Sequence, residues 1–427
     1  MPKSVVEVTP SARRLTASLR DVGYDLATAM ADIVDNSISA GARTVDIETV
    51  FDGVNSHIII ADDGSGMSGS QLDEALRFGS RRSYASGELG RYGLGLKTAS
   101  LSQCRRLTVV TRQSPIRCRA SIRTLDLDHI DETDRWELID PPTDTNAYRA
   151  LEWIENGPGT VVVWELLDRI LPANRPESGW GRRRITQAAA TISEYLSMVF
   201  HRFLERDDPV VITVNGEKLK AWNPFAPGEE ETVELPAIRF DVPTGSGGSS
   251  EVLLRRFLLP TRARFSSAEE FERLGGPNRW NRQQGLYVYR ADRLIQSGGW
   301  VGIRGVDEHT KLARAALDFD TDLDEQFRIN VAKMRVALPP EIKPLLEPPV
   351  HELCQRANDR YRRDTAHPQP NRDARKDPTS TRTTTDLADV GAELMSAALA
   401  AGQAEAIEAI MDQLAEARPD LAKSLGW

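Results

Sequence analysis

The chain has 427 residues, too many for one ordinary domain and enough for two or three, each with its own core. With 40% hydrophobic and 27% charged residues its composition is that of a globular protein, and no run approaches the roughly 18 to 20 apolar residues of a membrane span. A net charge of -9 excludes a surface that is basic all over, as in a generic nucleic-acid coat protein, but leaves room for local basic patches.

The opening stretch MPKSVVEVTPSARR lacks the apolar core of a secretory signal, and Cys104, Cys118 and Cys354 are odd in number and widely spaced. A reduced, cytoplasmic protein is expected. The six histidines show no ligand spacing, which argues against a structural Cys/His metal site and leaves magnesium carried in by a nucleotide as the ion to consider.

In chain order, helical periodicity over 12–40 leads to two strands, 43–50 and 57–61, separated by the turn-rich FDGVNS. Helices are predicted over 70–78 and 96–103, with a polar, glycine-containing stretch between them. Strands follow at 106–111, 117–124, 135–139 and 160–165. Helices alternating with strands imply an α/β sandwich for the first 175 residues or so. A long amphipathic helix over about 183–205 opens a second α/β domain, 176–363, with strands at 210–214, 235–241, 251–258, 285–290 and 326–331. The segment 243–250 reads as a flexible loop, 364–386 as a polar, disordered linker, and 387–417 as an alanine-rich helix ending near Pro419 and fitted to a partner or to self-association.

Three segments carry chemistry. In ATAMADIVDNSISAGA, Asp32 and Asn36 stand four apart and share one helix face. A carboxylate there can orient water or take its proton, and an amide oxygen is a neutral ligand for a magnesium held by phosphates. Asp35, between them, is free to cap or pair locally. The second segment, IIIADDGSGM, ends a hydrophobic strand in two carboxylates followed by Gly64, Gly66 and Met67. A carboxylate at the end of a buried strand needs a donor, and an adenine exocyclic amine is one. Asp62 is the candidate, with Asp63 turned to solvent. The third segment, GELGRYGLGLKTAS, places Gly87, Gly90, Gly93 and Gly95 just ahead of a helix, where backbone amides can approach phosphates. A Walker A motif is excluded because Leu96 separates Gly95 from Lys97.

In that order, ADIVDNS, DDGSGM and GRYGLGLK resemble the motifs of the GHKL ATPase superfamily, with the DNS phrase and the glycine segment similar to MORC proteins and their prokaryotic relatives, and to MutL. The resemblance implies a two-layer α/β sandwich of the Bergerat type, an α/β transducer-like domain and a helical tail. It implies ATP and Mg2+, with Asp32 as general base, Asn36 on magnesium, Asp62 on adenine, Gly64 and Gly66 beneath the base, and Gly90, Gly93, Leu94 and Gly95 around the phosphates. Lys97 either joins them or is an exposed lysine at a helix start. Ser80 to Tyr92 would form a lid carrying Arg81 and Arg82. Thr160 resembles a pocket-strand threonine or is simply a β-branched strand residue. Lys333, in NVAKMRVALP, takes the place of a transducer lysine that reaches the γ-phosphate. Asp32 departs from the family's glutamate by one methylene, which implies slow hydrolysis.

The resemblance implies, as function, an ATP-gated homodimeric clamp acting on DNA or on a DNA-processing, restriction or antiphage defence partner. A chaperone-like ATPase and a nucleotide-sensing scaffold are the alternatives. Trp222 and Trp300 are expected in packing, and the arginine clusters at 182–184, 255–256 and 362–363 are candidates for a DNA channel or for plain solvated faces.

Overall fold

A computed structural model of the chain describes residues 10–21, 24–79, 95–114, 116, 119–141, 146–245, 247–277, 279–328, 336–366, 391, 394–395 and 404–425. Residues up to Pro368 form one compact unit and Gln369–Trp427 a second, each taken by itself below.

The helical stretch expected over 12–40 is two helices, α1 (Ala12–Arg20) and α2 (Leu26–Ser39). The break follows from capping: the Asp25 carboxylate accepts the Thr28 backbone N–H and starts a new helix. Residues Ala27 to Asp35 of α2 are all buried, so this is a core helix, and its small residues Ala27, Ala29 and Ala31 let neighbours approach closely. Strands β1 (Thr44–Val50) and β2 (His57–Asp62) form the expected antiparallel pair. Helices α3 (Gly69–Leu76) and α4 (Gly95–Leu101) precede β3 (Arg106–Arg112) and β4 (Ser121–Asp126). The strand expected at 135–139 is reduced to a single bridge between Thr124 and Ile139. After α5 (Leu127–Thr133) and α6 (Asn146–Arg149), β5 (Gly159–Glu165) runs antiparallel to β2 and sets Thr160 opposite Asp62.

Helices α7 (Gly179–Val199) and α8 (His201–Glu205) replace the single long helix. The chain then returns to the first sheet, where β6 (Val211–Val214) pairs parallel with β1 and β7 (Glu217–Lys218) closes the edge, giving the order β4-β3-β5-β2-β1-β6-β7. The domain boundary expected at 175/176 therefore moves. Ile185, Ile192, Leu196, Ile212 and Leu219 share one hydrophobic core with Met30, Ile33 and Ile47, each large buried side chain contributing roughly 1.5–3 kcal/mol.

The second sheet contains β8 (Val233–Pro243), β9 (Ser249–Leu258), β10 (Gly285–Arg290), β11 (Arg293–Gln296) and β12 (Ala313–Phe319), in the order β11-β10-β12-β9-β8. Helices α9 (Ala268–Gly275) and α10 (Arg279–Gln283) fall between β9 and β10, and α11 (Lys343–Ala366) lies against β9 and β12. Of the segment 243–250, Pro243, Ser249 and Ser250 belong to the paired ends of β8 and β9, and the described residues between them lie in the turn of that hairpin. Of the strand expected at 326–331, residues 326–328 lie in a turn and the remainder falls outside the described residues. Helix α11 runs three residues into the expected linker, whose other positions also lie outside them.

Between the two sheets, Met198 of α7 meets Trp222, Phe225, Phe257, Tyr287, Tyr289 and Leu294 in a cluster that joins the layers. Trp222 thus has the packing role expected of it, and its Nε1 donates to the Arg273 carbonyl at 3.0 Å. Trp300 is buried in the second core. In the other unit, helices span Ala404–Ala417 and Pro419–Ser424. The alanine-rich helix ends at Ala417, next to Pro419 as expected, and Pro419 itself occupies the first position of the short helix that follows, where its missing N–H costs nothing.

Candidate functional site

The C-terminal half of α2, the end of β2 and the start of β5 meet on one side of the first sheet. Asp62, last residue of β2, is held by its neighbours: the Ser37 hydroxyl donates to Oδ2 at 2.8 Å and the Gly64 N–H to Oδ1 at 2.9 Å. Burial pushes this carboxyl above the usual carboxylate range, against the pull of those two donors. Asp63 is exposed, as expected, and accepts the Arg43 and Thr44 N–H groups at 2.7 and 2.9 Å, fixing the start of β1.

The glycines here are required by space. A Cβ on Gly64 would lie 2.9 Å from Asp62 Oδ1 and from the Ala40 Cβ. Gly66 adopts φ +63°, and a Cβ there would lie 2.0 Å from the Arg112 carbonyl oxygen. The turn is tied to β3 by the Met67 N–H, which donates to Thr111 Oγ1 at 2.9 Å. Thr111 Oγ1 in turn sits 3.0 Å from Thr160 Oγ1. Thr160 is therefore part of the network beneath Asp62 as well as a strand residue.

One turn of α2 away, Asn36 is exposed and Asp32 is buried. The Tyr24 hydroxyl donates to Asp32 Oδ2 at 2.8 Å. Burial, reinforced by that carboxylate, holds the Tyr24 phenol far above its usual range. Gly95 opens α4 beside this pair, and a Cβ added to it would lie 3.7 Å from Asp32 Oδ2. Asp35 makes no local cap: it is fully buried and faces Arg293 of β11, with Arg293 Nε 3.2 Å from Asp35 Oδ2.

Lys97 is a buried residue, which removes the exposed-lysine alternative. Its ammonium donates to the Ala75 carbonyl at 2.7 Å and lies 5.8 Å from the centre of the Phe78 ring, linking α4 to the end of α3. Burial lowers its pKa to about 8, while Glu74 acts the other way. Gly90, Gly93, Leu94, Lys333 and the lid with Arg81 and Arg82 lie outside the described residues. Among the described residues no His, Cys, Asp and Glu cluster suits a metal ion, and the exposed Asn36 amide is compatible with an ion that arrives already held by phosphates.

Residues 24–157 match the family of histidine kinase-, DNA gyrase B-, and HSP90-like ATPases. The segment belongs to the GHKL ATPases. Its match covers α2, the Asp62 turn and α4, where the sequence motifs lie. The chain is also 30% identical over 148 residues to Protein MICRORCHIDIA 5 of Arabidopsis thaliana, covering 30% of this chain and 21% of that protein. It is 34% identical over 89 residues to ATPase morc-1 of Caenorhabditis elegans, covering 21% of this chain and 10% of the relative. The chain thus spans about a fifth or less of the length of these curated relatives.

The candidate site includes residues that sequence reasoning missed. Ser37, adjacent to Asn36 in the DNS phrase, was legible as a polar residue on a buried helix. Thr111 and Tyr24 carried no comparable signal, and Arg293, 258 positions from Asp35, carried none. Of the arginine pairs considered for a DNA channel, Arg255 pairs with Asp318 and Arg256 is buried with Glu352 at 2.7 Å, so both serve the second layer internally. Arg183, Arg362 and Arg363 are exposed.

Proposed function

We propose that the chain is a MgATP-binding and slowly hydrolysing switch of the GHKL type. Support comes first from one observation: Asp62, with Gly64 and Gly66 shaped around it, stands on the same side of the sheet as Asp32 and Asn36. Asp62 accepts the adenine amine, Met67 and Thr160 flank it, and Asn36 takes magnesium that comes with the triphosphate. Gly90, Gly93, Leu94 and Gly95 contact the phosphates, and Lys97 braces the helix that follows them. Water attacks the γ-phosphorus, its proton passes to the Asp32 carboxylate, and the bond to the β-γ bridging oxygen breaks to give ADP and phosphate. Lys333 stabilises charge on the transferring group.

On this reading the switch works in the cytoplasm as an ATP-dependent homodimeric clamp on DNA or on a DNA-processing or defence partner, a view suggested by the similarity to the two MORC relatives. Asp32→Asn tests the chemistry: phosphate release should fall by about a hundredfold or more while affinity for a non-hydrolysable ATP analogue stays within a few fold. Parental turnover in that variant would sink the assignment. Duplex binding that weakens steeply with salt supports the clamp, and absence of binding at low salt removes DNA from the list of partners.

A further inference from the structure

Arg293 is the first residue of β11, in the second sheet, yet its side chain is completely buried against α2 of the first layer. Its Nε lies 3.2 and 3.3 Å from the two carboxylate oxygens of Asp35, and its Nη2 lies 3.7 Å from Asp32 Oδ1. Nη1 donates to the Leu294 carbonyl at 3.1 Å, which fixes the fork on its own strand. One planar cation therefore spans two acidic side chains of α2, and the second of them, Asp32, is held from its other oxygen by Tyr24.

The hairpin that delivers Arg293 is built for the purpose. Arg290 pairs with Arg293 across β10 and β11, so the connection is two residues, Ala291 and Asp292, at φ 45° and 65°. Both sit in the left-handed region that such a turn demands, where glycine or asparagine is the usual choice. The strain is held in place on both sides. Ala291 packs against the core of the first layer, Asp292 accepts from Arg202 at 3.0 Å, and the buried Arg290 is paired with Asp324 at 2.6 Å.

We propose that Arg293 is a positioning residue for hydrolysis: the second layer contributes the guanidinium that fixes Asp32 in the geometry in which it takes a proton from water. This rests on the reading of Asp32 as general base. Hydrolysis then depends on the docked position of the β10–β11 hairpin, so a displacement of the second layer changes turnover through Arg293 without touching nucleotide. Arg293 approaches Asp32 at Oδ1, the carboxylate oxygen that Tyr24 does not hold.

The test is a double-mutant cycle on the full chain, with Arg293→Met, Asp32→Asn and the combination, reading phosphate release and binding of a non-hydrolysable ATP analogue separately. Arg293→Met should lower kcat by about a hundredfold, the effect of a catalytic group displaced by around an ångström, with analogue affinity within a few fold of the parent. The double variant should be no slower than Asp32→Asn alone. Losses that multiply, or an Arg293→Met rate at or above the parental one, overturn the proposal. Should Arg293→Met fail to fold, Arg293→Lys, which keeps the charge and loses the fork, carries the test: kcat at least about tenfold down at unchanged analogue affinity supports it, and parental kcat overturns it. Parental turnover in Asp32→Asn refutes the function reading itself, whereas a slow Asp32→Asn beside a fast Arg293→Met refutes only the positioning role.

Discussion

Replacing Asp62 by asparagine separates nucleotide recognition from folding. In the parent both carboxylate oxygens are used, one by Ser37 and one by the Gly64 N–H, and each has a further lone pair to offer an adenine amine. Asparagine keeps one oxygen and turns an NH2 toward the other partner, so the acceptor for adenine becomes neutral or is lost. A hydrogen bond to a charged acceptor is worth about 1.5–3 kcal/mol, which corresponds to a loss in ATP affinity of roughly ten- to 150-fold. Calorimetric titration with a non-hydrolysable analogue measures it. Guanine presents an acceptor where adenine presents the amine, so the parent should prefer ATP over GTP and Asp62→Asn should narrow that preference. Folding should respond differently, because a neutral amide avoids the burial penalty that raises the Asp62 pKa. The pH dependence carries opposite signs for the two properties. As pH falls through the raised pKa, protonation relieves the buried charge and favours the fold, while ATP affinity drops with the loss of the charged acceptor. Unchanged ATP affinity and unchanged ATP/GTP preference in Asp62→Asn would refute the assignment of Asp62 to adenine.

Two further outcomes are expected. Asn36→Ala should weaken binding of the ATP analogue about tenfold with magnesium present and little in chelator, and equal affinities in magnesium for parent and variant would remove Asn36 as the ion's ligand. Because burial lowers Lys97 to about 8, the unfolded chain binds more protons than the folded one between that value and 10.5. The stability difference between parent and Lys97→Met should therefore move in the parent's favour as pH rises across this window, by at most about 3 kcal/mol, and a flat difference in chemical denaturation contradicts the buried ammonium.

The parts of the site written in local pattern were readable. A four-residue spacing on a helix brought Asp32 and Asn36 to one face, and a hydrophobic strand ending in Asp62 and two close glycines became the turn under the candidate base site. What escaped reading was written across distance. Strand β12, ARAALDF, has no alternation because it lies in the middle of the second sheet and is buried on both faces. The first sheet takes its last two strands from beyond residue 205, so composition along the chain could not mark where one layer stops. Asp35 reads locally as a cap and turns out to be half of an ion pair between layers.

That ion pair also bears on why a shorter acid at position 32 is workable. A carboxylate one methylene closer to the helix has less reach, so small shifts of α2 alter its distance to water more than side-chain rotation can restore. In this chain the helix is clamped from several directions: Tyr24 grips Asp32, Arg293 grips Asp35, and α4 and α7 pack against it. Breaking such a buried pair by removing one partner leaves a carboxylate without its cation and costs about 3–5 kcal/mol, so the clamp is stiff where the acid is short. A site organised this way trades reach for fixed placement, and it places the control of that fixed acid in the second layer, where Arg293 originates.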